Sequence, residues 1–282
     1  MAPREGTLTV NGLRLHYLDW GGRGPAIVLH HATSLHAWVW EPIARRLAGR
    51  WRVVAFDARG HGDSDKPPSG YGWDALAADL AAFIEALGLG PATVVGHSSG
   101  GTAALACAAR RPELVARVVA LEPVLLPPLA EGGEWRQRHQ QWLQAARRRR
   151  TAWPSLEEAF RHLRHRGAYA HWREELLRLY LEKGTFRRPD GQVELKMSGE
   201  LEAQVYEGRR ALDIWPLLPA VACPVLLLYS QRPNPGLEAG ILEAARRLPC
   251  ARLQRLADGS HFFPLELPEE TAALIEAFLE ET

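Results

Sequence analysis

Gly96-His97-Ser98-Ser99-Gly100 is the segment of this chain whose residue types and spacing most directly imply chemistry. It follows the apolar run Thr93–Val95 and precedes a helical pattern over Gly100–Arg110, so it reads as G-x-S-x-G at a sharp strand-to-helix turn. Such a turn forces the serine into a strained conformation and lifts its hydroxyl clear of the sheet. Only small residues fit two positions to either side, hence Gly96 and Gly100. Ser99 is not the elbow serine, because position 97 would then have to be small. The turn also puts the Ser99 N–H at a helix N-terminus, where a developing oxyanion can be held.

A serine hydroxyl needs a base, and the base needs an orienting acid. The chain has 11 histidines. His139, His162, His165 and His171 fall in a helical stretch and are expected on solvated faces. His261 differs. It lies in Ala257-Asp258-Gly259-Ser260-His261-Phe262, between the last strand signal and the last helix signal, and follows the serine in chain order.

The elements that must position these groups follow a clear rhythm. Thr7–Val10 and Leu13–Tyr17 alternate and are joined by Asn11-Gly12, a hairpin signal. Apolar strand runs at Ala26–His31, Trp51–Phe56, Thr93–Val95 and Val115–Leu121 alternate with helical patterns at Ala37–Leu47, Trp73–Leu87 and Gly100–Arg110. Val225–Tyr229, a helix over Leu237–Leu248, Ala251–Leu256 and a helix over Glu269–Leu279 resume the pattern. The reading is α/β, a mostly parallel sheet with helices on both faces. Between the halves, residues 127–213 are rich in Arg, Glu, Leu and Trp and read as several helices, with a strand signal only at Val193–Leu195. A helical segment inserted between two halves of one sheet is a cap. The expected organisation is a core of 1–126 and 214–282 with a helical cap at 127–213.

Composition narrows the function class. At 282 residues and 46% hydrophobic content, the chain can bury one large core. A formal net charge of +1 gives no bulk attraction to nucleic acid or anionic membrane. The run Arg147–Arg150, with glutamates nearby, reads as a solvated helix face. No apolar stretch suits a signal peptide or membrane span, so a cytoplasmic protein is expected, monomeric or homodimeric, with a small-molecule substrate. Cys107, Cys223 and Cys250 are odd in number and widely spaced. They suit neither a disulfide framework nor a zinc site and are expected to be small buried apolar groups. Few Asn and Met, and Arg in place of Lys, suit a heat-adapted protein or a GC-rich genome.

Taken together, the hairpin, Leu29-His30-His31, the Asp57–Gly62 loop, the Ser98 elbow, and Gly259-Ser260-His261-Phe262 with Pro268-Glu269 resemble the α/β-hydrolase superfamily, and most its capped esterase-type members. The resemblance spans nearly the whole chain outside the insert. It implies an eight-stranded, mostly parallel sheet flanked by helices, with the cap over the site. It also implies acyl-transfer chemistry without cofactor or metal. Members of this family that open halides or epoxides use Asp at the nucleophile position, so Ser98 argues against both activities.

Two positions depart from the family pattern. Members usually carry His-Gly after the third strand, and the next residue donates the second oxyanion N–H. Here the pair is His30-His31, which makes Ala32 the donor and places a side chain beside it. The family acid is commonly an Asp in the turn after the penultimate strand. Here that turn is Tyr229-Ser230-Gln231-Arg232-Pro233-Asn234-Pro235, and Asn234 stands at the Asp position. The family topology places the strand ending in Glu122 beside the nucleophile strand, and some members carry their acid there. Glu122 is therefore assigned as the acid, and Glu266 as an anchor of the His261 loop. The expectation is a carboxylic ester or lactone hydrolase of apolar small to medium substrates, with Ser98, His261 and Glu122 catalytic and Ala32 and Ser99 forming the oxyanion hole. The alternatives are carbon–carbon bond hydrolysis on the same fold and a non-catalytic ligand-binding sensor.

Overall fold

The computed structural model describes residues 2–126, 134–232 and 235–281. Arg4–Val10 (β1) and Leu13–Gly21 (β2) form the hairpin signalled by Asn11-Gly12, with both turn residues at positive φ (49° and 75°). Ala26–His30 (β3), Arg52–Phe56 (β4), Ala92–His97 (β5) and Val115–Leu121 (β6) follow. After the insert come Val225–Tyr229 (β10) and Ala251–Arg255 (β11). The sheet has eight strands in the order β1-β2-β4-β3-β5-β6-β10-β11. The pairs β1/β2 and β2/β4 are antiparallel and the rest parallel.

Each central strand is apolar on both faces, as a sheet covered on both sides requires. Val28, Val54, Phe56, Val94 and Leu227 belong to one buried cluster, and their neighbours Ile27, Leu29, Val53, Ala55, Val95, Leu226 and Leu228 to another. Helices Trp73–Ala86 (α2) and Ser99–Arg110 (α3) cover the first face; Glu41–Leu47 (α1) and the last helix, Pro268–Glu280, cover the second. Burying one such Val, Ile or Leu is worth roughly 1.5–3 kcal/mol.

Between β6 and β10 the described helices are Glu134–Arg148 (α4), Leu156–Leu163 (α5), Glu174–Gly184 (α6) and Gly199–Gly208 (α7). The strand signal at Val193–Leu195 is borne out, but the expectation of no other strand in the insert needs correction. Ala152–Trp153 (β7), Thr185–Arg187 (β8) and Val193–Leu195 (β9) pair antiparallel as a small sheet, in the order β7-β9-β8. The two short partners β7 and β8 carry no readable period; Trp153, Val193 and Leu195 are buried in the second core cluster, and that packing holds the sheet. Of the cysteines, Cys107 fits the expectation of burial and the other two depart from it. Cys107 is buried, Cys223 half-buried and Cys250 exposed, and all three are free. Among the described residues no helix is long and apolar enough to cross a membrane.

Candidate active site

The parallel strands deliver their C-terminal ends to one edge of the sheet. β3 pairs with β4 on one side and β5 on the other, so the loops after β3 and β5 diverge and leave a crevice between them. Ser98 follows β5 there at φ 55° and ψ −117°, the strained turn expected of the motif. The clearances explain its glycines. A Cβ on Gly96 would overlap the carbonyl of Gly100, and one on Gly100 would overlap that of His30 and lie 2.7 Å from that of His31. Gly100→Ala should therefore destabilise the fold by about 3 kcal/mol or more, read as the shift in urea midpoint; wild-type stability would show that α3 can move away from β3.

Ser98 donates its hydroxyl hydrogen to Nε2 of His261 at 3.0 Å. The two residues are 163 apart in sequence and meet because β5 and the loop after β11 end on the same edge. Contacts from the elbow and from the loop's own helix help hold it. Nε2–H of His97, the second residue of the motif, donates to the His261 carbonyl at 2.8 Å. Glu266 accepts from the Ser260 N–H at 2.8 Å and from the Ser260 hydroxyl, the anchoring role expected of it. Burial holds the His261 imidazole at about 4, so at neutral pH it is uncharged and able to take a proton.

Glu122 follows β6 directly, at φ 44°, and is fully buried. Its N–H donates to the Leu228 carbonyl at 2.7 Å, which places it between the Ser98 turn and the end of β10. One carboxylate oxygen accepts from the Ser230 hydroxyl at 3.2 Å. The other, Oε2, has no hydrogen-bond partner among the described residues, and neither has Nδ1 of His261. A direct Glu122–His261 hydrogen bond is therefore not formed in this arrangement. Burial, against the hydrogen bonds from Ser230, raises the Glu122 carboxyl to about 7. Asn234 lies outside the described residues.

On the opposite side, Thr33 donates to the Ser99 hydroxyl from both its N–H and its own hydroxyl, each at 3.0 Å. This ties the loop carrying Ala32 to the start of α3. Ser99 is the first residue of that helix, so its N–H has no acceptor one turn back. His31, the departure beside Ala32, is buried and committed to packing. Its Nδ1–H donates to the Ala32 carbonyl at 2.8 Å, and its Nε2 accepts from the Ala58 N–H at 3.0 Å. With both ring nitrogens occupied, His31 has none to offer a substrate.

These groups open on a cavity of about 480 Å³. Ala32, Ser98 and His261 line its floor with Trp73 and Leu237, and the insert supplies His139, Trp142, Arg149, Tyr169, Glu202 and Arg209. Two expectations are corrected here. His139 is only 2% exposed and faces the cavity, not solvent. Arg149 is not on a solvated face either, since it pairs with Glu202 at 2.7 Å and donates to the Met197 carbonyl. The spacing of His139, Leu143 and Ala146 along α4, at i, i+4 and i+7, was the available signal for His139: they share one buried face.

One group of possible metal ligands occurs among the described residues, His16, Asp57 and Asp63, with atoms within 4.8 Å of one another. Asp57 already accepts from His16, the Asp63 N–H and the Ala37 N–H, and Lys196 pairs with Asp63 at 2.7 Å. The trio is thus a brace for the Asp57–Gly62 loop.

Known proteins place this architecture. The chain is 30% identical to 2-(acetamidomethylene)succinate hydrolase of Mesorhizobium japonicum over 261 residues, covering 92% of this chain and 89% of that one. It is 32% identical to lipase LipV of Mycobacterium tuberculosis over 271 residues, 94% and 97% of the two chains. The crystal structure of E-2-(acetamidomethylene)succinate hydrolase superposes with a TM-score of 0.84 at 25% identity, covering 99% of each chain. The family model described as alpha/beta hydrolase fold matches residues 25–268. With the eight-stranded sheet and the Ser98 elbow beside His261, this shows that the chain belongs to the alpha/beta hydrolase family and is a hydrolase.

Proposed function

We propose that the protein cleaves small carboxylic esters through an acyl-enzyme on Ser98. The observation that carries this reading is the 3.0 Å contact between the Ser98 hydroxyl and a neutral His261, at the floor of a 480 Å³ cavity. Ser98 Oγ attacks the ester carbonyl as its proton passes to Nε2 of His261. The N–H groups of Ala32 and Ser99 receive the oxyanion. Nε2–H then protonates the departing alcohol, water attacks the acyl group with His261 again as base, and the acid leaves. Glu122 is the carboxylate assigned to the His261 imidazolium: both have a buried, unpartnered atom at rest, and charging the imidazole favours an ionised neighbour. The insert acts as a cap, since it supplies much of the cavity wall.

The similarity to a lipase supports an ester. The similarity to a hydrolase named for an acetamido-bearing succinate favours a second reading, attack on an amide carbonyl by the same steps. A fluorophosphonate probe with mass mapping, and a panel of 4-nitrophenyl esters and matched anilides, test both. Labelling at Ser98 is expected, with kcat/KM falling about tenfold or more as the acyl chain outgrows the cavity. Folded protein that neither labels nor turns over any panel member would leave the ligand-binding alternative.

A further inference from the structure

The insert wall of the cavity carries cationic and hydrogen-bonding capacity that the acyl-transfer steps do not use. Arg149 is balanced by Glu202 at 2.7 Å, and Glu202 also accepts from the Tyr206 hydroxyl at 3.2 Å. Arg209 has no such balance, because among the described residues no carboxylate lies within 4.0 Å of it. Among the described residues its buried Nη2 has no hydrogen-bond partner, and neither has Nε2 of His139, a side chain 98% buried. Both residues line the cavity that Ser98 and His261 line. Burial, reinforced by the charges of Arg209 and Arg210, holds the His139 imidazole below its ordinary range, so the two residues share one field. Unpaired buried donors are costly, and here both line one cavity beside a guanidinium with no carboxylate within 4.0 Å among the described residues. A carboxylate supplies what is missing, with acceptors for both donors and a negative charge for the guanidinium.

We propose that His139 and Arg209 form an anion-binding end of the cavity. The substrates are then small carboxylic acids whose carboxylate docks there while Ser98 attacks an ester or amide carbonyl elsewhere in the same molecule. The site of attack rests on the reading of Ser98 above; the anion site does not.

Calorimetric titration with succinate, and with succinamide as its neutral counterpart, tests the site without turnover. Wild type and Ser98→Ala are expected to bind succinate at least tenfold more tightly than succinamide. Arg209→Gln and His139→Phe should each lose tenfold or more of the succinate affinity, with Arg209→Lys retaining part of it. Arg178→Gln, remote from the cavity, should bind as wild type does. Equal affinity of the wild type for the two probes overturns the proposal, as does unchanged succinate affinity in folded Arg209→Gln. Should Arg209→Gln fail to fold, the probe comparison in wild type and the Arg209→Lys titration still decide. A protein that selects succinate yet hydrolyses no ester or amide would sink the Ser98 reading and leave the anion site standing.

Discussion

Ser98→Ala is expected to lower kcat on a 4-nitrophenyl ester by about 10⁴-fold or more while leaving the protein folded. The loss is large because no other group takes over bond formation: the variant keeps His261, the Ala32 and Ser99 N–H groups and the cavity, and so keeps binding but not the acyl-enzyme. The change in stability should be small. Alanine inherits the same strained φ of 55° and loses one hydrogen bond to His261, worth about 1 kcal/mol. His261→Ala should cost a similar factor, and the double variant no more than the worse single one, because the two residues act as a unit. Steady-state kinetics on the purified set, with melting curves alongside, checks this. A Ser98→Ala enzyme with more than a few per cent of wild-type turnover would refute the covalent route.

Glu122→Gln is expected to do two opposite things. Turnover should fall about 10²- to 10⁴-fold, since an amide can hold an imidazole in place but cannot balance an imidazolium. Stability should rise at neutral and alkaline pH. The Glu122 carboxyl sits at about 7 in the folded protein against 4.5 for an ordinary glutamate, because burial disfavours its charge. A carboxyl raised on folding supports the folded state fully below pH 4.5. That support is lost as pH climbs through 7, since the unfolded chain ionises first. Replacing it with Gln removes the loss, so the variant gains on wild type between pH 4.5 and 7, up to about 3 kcal/mol, and matches it in acid. The same ionisation should appear in wild-type kcat/KM as a rise through pH 7 that the variant lacks. Parallel urea midpoints across pH 4–8 with near-full turnover would show that Glu122 is neither ionising nor serving His261.

What was legible in the chain was what neighbouring residues decide among themselves. The elbow is local, because Gly96 and Gly100 are small where a side chain would collide with adjacent backbone. The sheet was legible because strands buried on both faces must be apolar throughout, as Leu226–Leu228 and Ile27–Leu29 are. Chain order and a Gly-containing loop singled out His261, and the structure puts it 3.0 Å from Ser98.

Contacts between distant segments decided the rest. Whether His31 faces substrate or core depended on Ala58, 27 residues away, which occupies its second nitrogen. The hydrogen bond to Glu122 comes from Ser230, 108 residues later and just past the end of β10; no motif marks that meeting. His139 and Arg209 lie on separate elements of the insert, in a stretch that reads as helices with solvated histidines, and become one feature only where the insert closes over the cavity. Sequence alone thus singled out Ser98, His261 and the sheet that carries them, since the elbow and the strands answer to backbone geometry within a few residues and His261 to its loop and place in the chain order. Tertiary structure decided the surroundings of Glu122 and the charge of the cavity wall. Burial and pairing are properties of what packs against a residue, and its own identity does not determine them.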